Sequence, residues 1–166
     1  VYKSTDAGST WVQLVNGLPV INTGRTCIAI NPLNPSVVLA HIADDLISNG
    51  LYKSTNKGLS WTLLNGNDFA SYQGWYSKCL LFSQADTNTI YVGGVYGFKS
   101  VDGGASFNQI TTYNPNNLAD EPWPDLHDLV VNPSDPTKLY LLTDAGLYRS
   151  NNGGQNWRSC LDGYRV

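Results

Sequence analysis

Apolar residues along this chain fall in short bursts rather than on a helical spacing. C-I-A-I from Cys27, C-L-L-F from Cys79 and L-V-V from Leu129 are each followed by a turn rich in Asn, Asp and Pro and then by a second β-rich run. Runs of four to eight apolar and β-branched residues, bounded by turn formers, mark strands. No stretch sustains the 3.6-residue period of an amphipathic helix. After each pair of runs comes a third short segment, a Gly-containing turn and a segment opened by an aromatic residue. The pattern predicts strands at Thr26–Ile30, Val37–Ile42, Leu51–Ser54 and Ser60–Leu64. It predicts a second set at Lys78–Phe82, Thr89–Gly93, Gly97–Ser100 and Ser106–Ile110, and a third at His127–Val131, Lys138–Leu142, Leu147–Ser150 and Asn156–Cys160. Val1–Ser4 and Thr10–Leu14 supply only the last two strands of such a set.

The turn between the third and fourth strands repeats. Y-K-S-T-D-A-G-S-T-W starts at Tyr2, Y-K-S-T-N-K-G-L-S-W at Tyr52, F-K-S-V-D-G-G-A-S-F at Phe98 and Y-R-S-N-N-G-G-Q-N-W at Tyr148. Its serines, Ser4, Ser54, Ser100 and Ser150, lie 50, 46 and 50 residues apart. Repetition of a four-stranded unit at this period predicts an all-β fold, a β-propeller. The chain provides about three complete blades (about 25–64, 77–110 and 126–160) and half a blade (1–14), and is expected to be part of a larger propeller. An open array would expose apolar side chains at both ends.

The repeated residues suit a structural task. Asp6, Asn56, Asp102 and Asn152 have short side chains that accept backbone hydrogen bonds a residue or two ahead and close the turn. Gly8, Gly58, Gly104 and Gly154 give the freedom the turn needs, and Trp11, Trp61, Phe107 and Trp157 open the next strand and pack against a neighbouring blade. Two of the four acid positions are Asn, which can neither donate nor take a proton in catalysis, so the turn carries no catalytic assignment.

Composition narrows the partners. Apolar content is 42%, but only 14% of residues are charged, so the surface is built from Asn, Ser, Thr, Gly and Tyr. A net charge of −3 argues against nucleic acid or an anionic membrane as the main partner. No run reaches the ~18 apolar residues of a membrane helix, and the chain is not expected to be membrane-embedded. Cys27, Cys79 and Cys160 are too few and too far apart for a disulfide framework or a C-x-x-C zinc site; free thiols are expected. No metal and no cofactor is assigned.

The frame S-x-D-x-G-x-x-W resembles the Asp-box (BNR-repeat) propellers, a group that includes sialidases, xyloglucanase-type glycoside hydrolases, sortilin-like receptors and photosystem assembly factors. The N-P-x-[DN]-P turn before the second strand is most similar to the xyloglucanase and sortilin-like branch. The run from Gly74 to Gly94 and W-P-D-L-H-D-L-V-V-N-P from Trp123 are similar to large secreted Bacteroidetes proteins exported by the type IX route. Where those carry H-x-D-x-H-D, this chain has Trp123, Asp125, His127 and Asp128, so the ligand set lacks its first histidine. The sialidase arginine cluster is not matched by Arg25, Arg149, Arg158 and Arg165. The resemblance implies an extracellular or cell-surface location, with carbohydrate or a protein or peptide segment as ligand and membership of a longer chain or assembly.

Strand order puts the repeat turns and the Pro-rich turns on one side and the remaining loops on the other. Two of the latter are long: 65–77, with Phe69, Tyr72, Trp75 and Tyr76, and 111–126, with Tyr113, Asp120, Glu121, Trp123 and Asp125. The loop at 43–50 adds Asp44 and Asp45. Long loops on a rigid scaffold usually carry function. The candidate ligand face is therefore Asp44, Asp45, Tyr72, Trp75, Tyr76, Trp123, Asp125 and His127, where aromatic rings stack on sugars and carboxylates bond hydroxyls. A period of two places Asp125 and His127 on one face of a strand entrance, as an acid/base pair or a partial metal site, with Asp128 pointing away. Cys27, Cys79 and Asp128 are expected to ring a central channel, with Ile28, Leu80 and Leu129 on its wall. The leading reading is a non-catalytic binding or scaffold region. A xyloglucanase-type glycoside hydrolase, with two carboxylates across a groove, and a sortilin-like peptide binder are the alternatives.

Overall fold

The computed structural model of the chain describes residues 1–117 and 119–161; Arg165 lies outside the described residues. Three four-stranded antiparallel sheets stand in chain order. They are β3–β6 (Thr26–Ile30, Val38–Ala43, Ser48–Ser54, Thr62–Asn65), β7–β10 (Cys79–Phe82, Ile90–Gly93, Gly97–Ser100, Asn108–Gln109) and β11–β14 (Leu126–Val131, Leu139–Thr143, Gly146–Ser150, Arg158–Ser159). Each sheet is a meander in which consecutive strands pair, and a fourth sheet holds only β1 (Tyr2–Lys3) and β2 (Val12–Gln13). The first strands of successive sheets, β3, β7 and β11, contact one another and form the inner edge. The architecture is three complete propeller blades and the outer half of another.

The strands differ from expectation in two places, each with a local cause. β5 begins at Ser48, because Ser48 pairs with Ala43 across a register shift that Gly50, at φ 122°, accommodates. In sequence, Ser-Asn-Gly reads as turn. The outermost strands are short because other acceptors take their first amides: Ser60 N–H donates to Asn56 Oδ1 of the preceding turn (2.9 Å) and Trp61 N–H to the Asn16 carbonyl after β2 (3.0 Å), so pairing starts only at Thr62.

Blades stack through their faces, and side chains alternate between the two neighbours. On β4, Ala40 and Ile42 pack with Leu18 and Trp61 toward β1–β2, whereas Leu39 packs with Phe82, Ile90 and Val92 of the second blade. Both faces of a middle strand are thus buried, which is why V-L-A-H-I-A reads as a continuous run rather than an alternation. Cys79, Tyr91, Leu129, Val131, Leu141 and Trp157 form the equivalent core between the second and third blades.

This alternation corrects the expected apolar wall of the channel, whereas Cys27, Cys79 and Asp128 do stand near enough on neighbouring inner strands to act on one another electrostatically. Cys79 and Leu129 are buried in that inter-blade core, and Leu80 packs into the core between the first and second blades. Ile28 is 49% exposed because β1–β2 brings no inner strands to cover it. Asp128 lies on the exposed face of the third blade. Cys27, Cys79 and Cys160 are free thiols, and burial pushes Cys27 and Cys79 upward in pKa.

The repeat turns are closed by serine as much as by Asp or Asn. In the first complete blade, Gly58 N–H donates to Ser54 Oγ (2.8 Å), Ser54 Oγ donates to Asn56 Oδ1 (2.9 Å), and Asn56 Nδ2 donates to Ser60 Oγ (2.8 Å). The acid or amide accepts from the amide four residues ahead, not one or two: Thr10 N–H to Asp6, Ser106 N–H to Asp102 and Asn156 N–H to Asn152. Asn reproduces this bond as well as Asp does, so the two interchange. The residue before the glycine is also left-handed: Ala7 at φ 57° and Lys57 at 61°, with Gly103 and Gly153 elsewhere. Trp61 and Trp157 are 4% and 5% exposed between blades, Phe107 is half-buried, and Trp11 is 61% exposed because the chain sets no blade against it. Burying one such tryptophan removes about 200 Å² from water, on the order of 5 kcal/mol.

Candidate functional site

The face opposite the repeat turns is assembled by loops that close onto one another. Gly24 N–H donates to the Ala43 carbonyl (2.6 Å), Gly74 N–H to Leu46 (3.0 Å) and Asp125 N–H to Val95 (3.1 Å). Gly74 permits the second of these contacts; a Cβ there would stand 2.3 Å from the Asp44 carbonyl oxygen. The loop 65–77 is plugged from below by Phe69, which is 1% exposed and edge-on to Phe98, Phe107 and His41 at 5.3, 4.9 and 5.7 Å. Phe69 is therefore an anchor, not a ligand-facing ring. Asp68 holds the same loop by accepting from the amides of Ser48, Ala70 and Ser71. With its base fixed, the loop projects Tyr72, 65% exposed, and Trp75, 60% exposed, into solvent.

Trp75 is the centre of a line of residues that crosses three blades. On one side its amide donates to the Asp45 carbonyl (3.2 Å). On the other its ring lies 5.0 Å from that of Tyr76, and Tyr76 meets the His127 ring edge-on at 5.1 Å. Tyr76 Oη donates to Asp144 Oδ1 (3.0 Å), and His127 Nε2 approaches the same oxygen at 2.5 Å. The His127 bond holds the Asp144 carboxyl below the usual carboxylate range, and the same carboxylate raises the Tyr76 phenol. The Arg25 guanidinium donates to the Tyr76 carbonyl, and the buried Lys78 ammonium donates to the Arg25 carbonyl (2.5 Å). Burial pushes Lys78 down to about 8. Tyr76 is thus fastened by the Arg25 guanidinium, whose own carbonyl Lys78 holds, and by the Asp144 carboxylate.

The other expected residues divide. Asp44 accepts from the amides of Leu46 and Ile47, both at 2.7 Å; these bonds lower its pKa and make it a turn-former. Together with Asp45 and Asn22 it lines an open depression of about 290 Å³ beside Trp75's loop. Trp123 is half-buried against Tyr113, rings 5.1 Å apart, as a second aromatic pair. Asp120 and Glu121 stand elsewhere, lining a depression of about 400 Å³ on the outer rim beside Gln109 and Asn156. Asp125 and His127 do not form the expected pair. Asp125 has φ 69°, and the register shifts between Leu126 and Asp128, so a period of two does not hold there. Asp125 accepts from Ser77 Oγ (3.2 Å), while His127 takes Asp144. Among the described residues, no cluster of three or more His, Cys, Asp or Glu side chains is arranged to hold a metal ion.

Asp144, Arg25 and Lys78 were missed by sequence reasoning. Asp144 lies in the third-blade loop equivalent to the one holding Asp44 and Asp45, so the repeat itself carried a signal for it. Arg25 and Lys78 each precede an inner strand and carry no local mark. Backbone strain also concentrates on this face: Asn22, Ser71, Tyr72 and Asp125 have φ of 53°, 48°, 62° and 69°, and the other non-glycine cases, Ala7 and Lys57, belong to repeat turns.

The fold defines a β-propeller. By sequence the chain matches no protein-family profile and no curated protein. Solved structures share the fold. The GH74 enzyme of Niastella koreensis aligns with TM-score 0.72 at 17% identity, over 95% of this chain and 26% of that one. The GH74 xyloglucanase of Xanthomonas campestris aligns at 0.66 and 15%, over 94% and 26%. YCF48 of Cyanidioschyzon merolae aligns at 0.57 and 16%, over 84% and 38%. The chain therefore spans about a quarter of the GH74 enzymes it resembles. No helix among the described residues is long and apolar enough to cross a membrane.

Proposed function

We propose that this chain is a non-catalytic, carbohydrate-binding stretch of a secreted or cell-surface propeller of the Asp-box type, with Trp75 as its stacking platform. The observation that carries this reading is a tryptophan 60% exposed on a loop held by buried Phe69, by Asp68 and by the Gly74 amide. Exposing a large aromatic ring on a rigid support has a cost in water that a ligand's apolar face recovers, and a sugar ring supplies such a face with hydroxyls at its rim. Asp45, whose carbonyl holds the Trp75 amide, and Asp144, bonded to neighbouring Tyr76, supply the carboxylates that accept those hydroxyls. Tyr72 extends the platform.

Likeness to xyloglucanases favours a second reading, glycoside hydrolysis. That chemistry needs a carboxyl held protonated by a raised pKa opposite a second carboxylate. The flanking carboxylates whose pKa is displaced, Asp44 and Asp144, are both displaced downward, which suits hydrogen-bond acceptance better than proton donation. A panel of neutral polysaccharides, xyloglucan among them, read by affinity electrophoresis and by release of reducing ends, separates the readings. The expected result is retardation without cleavage, lost in Trp75→Ala. Cleavage would transfer the assignment to the hydrolase reading, and neither binding nor cleavage would remove both.

A further inference from the structure

Each seam between blades sets the last strand of one sheet against the repeat turn of the next. Two seams join complete blades, and they differ position by position. In the first, the strand after Trp61 reads Thr62-Leu63-Leu64-Asn65 and meets a turn that presents Ala105 and Ser106. Asn65 closes this seam, because its Nδ2 donates to the Gly104 and Ala105 carbonyls (3.3 and 3.2 Å). In the second, the strand after Phe107 reads Asn108-Gln109-Ile110-Thr111 and meets Gln155 and Asn156. Thr111, in the place of Asn65, is 3% exposed and accepts the Gly97 amide on its Oγ1 (2.8 Å). The loop beyond it runs along the rim, where the Ser159 amide of β14 donates to the Ala119 carbonyl (2.7 Å). The depression of about 400 Å³ lies between this strand, turn and loop.

Its lining suits one ligand chemistry. Asn108, Gln109, Gln155 and Asn156 stand where the first seam has Thr62, Leu63, Ala105 and Ser106, so four amides replace short or apolar side chains. A primary amide both donates and accepts, as a hydroxyl does, so it pairs with sugar hydroxyls in either sense. Gln109 is oriented by the bond from its Nε2 to the Thr111 carbonyl (2.7 Å). Asp120 and Glu121 add acceptors on the loop side, and Glu121 is itself held by the Thr112 hydroxyl. Ile110 and Trp157 supply the apolar part, and Trp157 Nε1 is already spent on the Ile110 carbonyl (2.8 Å). Lys99 is the cation of the lining and donates to the Gly153 carbonyl (3.1 Å). Two carboxylates outweigh it, which disfavours an anionic ligand. The volume falls toward the lower end of the ~300–1,000 Å³ of small-ligand sites, the size for a few sugar units rather than a long run.

We propose that this rim depression binds a short neutral oligosaccharide through its hydroxyls. It takes the same class of ligand as the Trp75 platform but shares no residue with it and does not depend on it. Nitrogen–proton correlation spectra of the chain carrying Trp75→Ala, titrated with oligosaccharides cut from xyloglucan, mannan, galactan and mixed-linkage glucan, read this site without the platform. At least one oligosaccharide is expected to shift the side-chain amide signals of Gln109 and Asn156. In the same background, Asn108→Thr, Gln109→Leu, Gln155→Ala and Asn156→Ser together give the rim the residues that the first seam already carries. Affinity for that oligosaccharide is expected to fall about tenfold or more. Gln109→Leu alone, at an exposed position, weakens binding in the same direction. Unchanged affinity in these variants overturns the proposal, as does a panel that moves no rim amide. In the unsubstituted chain, rim signals that shift while those around Trp75 stay still would remove the platform reading alone, and the reverse pattern would remove only the rim site.

Discussion

Ser54 and Ser4 do the same chemistry in two environments, which makes a stability test with an internal control. Each Oγ accepts the amide of the repeat glycine at 2.8 Å and donates to the Asn or Asp of its turn at 2.9 and 2.8 Å. Ser54 is 1% exposed and the Gly58 amide is buried with it, whereas Ser4 and Gly8 stand where water reaches. Alanine at position 54 leaves a buried N–H without an acceptor, about 1–3 kcal/mol, and removes two further bonds, to Asn56 Oδ1 and from the Asn56 amide, together about 1 kcal/mol. The expected loss is therefore about 2–4 kcal/mol, or roughly 5–12 °C in Tm for a chain of this size. Ser4→Ala loses the same bonds but gains water in their place, and is expected to cost about 1 kcal/mol or less. Ser100→Ala and Ser150→Ala should follow Ser54, since those hydroxyls are 1% and 2% exposed and accept from Gly104 and Gly154 at 2.9 Å. Urea unfolding followed by tryptophan fluorescence, with far-ultraviolet circular dichroism as the second probe, measures the series. Equal losses at positions 4 and 54 would refute the argument that burial of the glycine amide sets the magnitude.

Three further outcomes follow from named residues. Lys57→Gly should stabilise the chain by about 1 kcal/mol in the same urea assay, because Lys57 holds φ 61° where Gly103 and Gly153 stand in the other blades, and its contacts across the seam and to Ser36 are made by its backbone. His41 is fully buried, and burial pushes it down to about 3, so the unfolded chain takes up a proton below pH ~6.5 that the folded chain refuses. Stability is therefore complete above that pH and falls as pH drops toward 3; His41→Phe should flatten this part of the Tm–pH curve. Asp102 also has its pKa depressed, chiefly by the Ser106 hydroxyl, so its contribution is present above the ordinary carboxylate range and is lost at lower pH, and Asp102→Asn should lower neutral-pH stability slightly and remove that acid sensitivity, so that the two Tm–pH curves converge at low pH.

Most of the strand plan was legible from the chain alone because it rests on local chemistry. A serine, an Asp or Asn and a glycine at fixed offsets close a turn by themselves, and Asn-Pro follows β3 and β11 directly; repetition at near-constant spacing then leaves few architectures. The left-handed residue before each repeat glycine was less visible, since Lys57 and Ala7 adopt that geometry against their own preference.

The candidate face was legible only as a set of loops. That Trp75 stands out and Phe69 turns in depends on a pocket made by Phe98 and Phe107 of the next blade, tens of residues along the chain. That His127 takes Asp144 rather than Asp125 depends on one left-handed residue and one register shift, which break the alternation on which strand reasoning relies. The repeat period determined the blades, because hydrogen bonds within a turn do not need the rest of the molecule. Tertiary packing alone decided which aromatic is an anchor and which is a platform, because that choice is made by side chains from another blade.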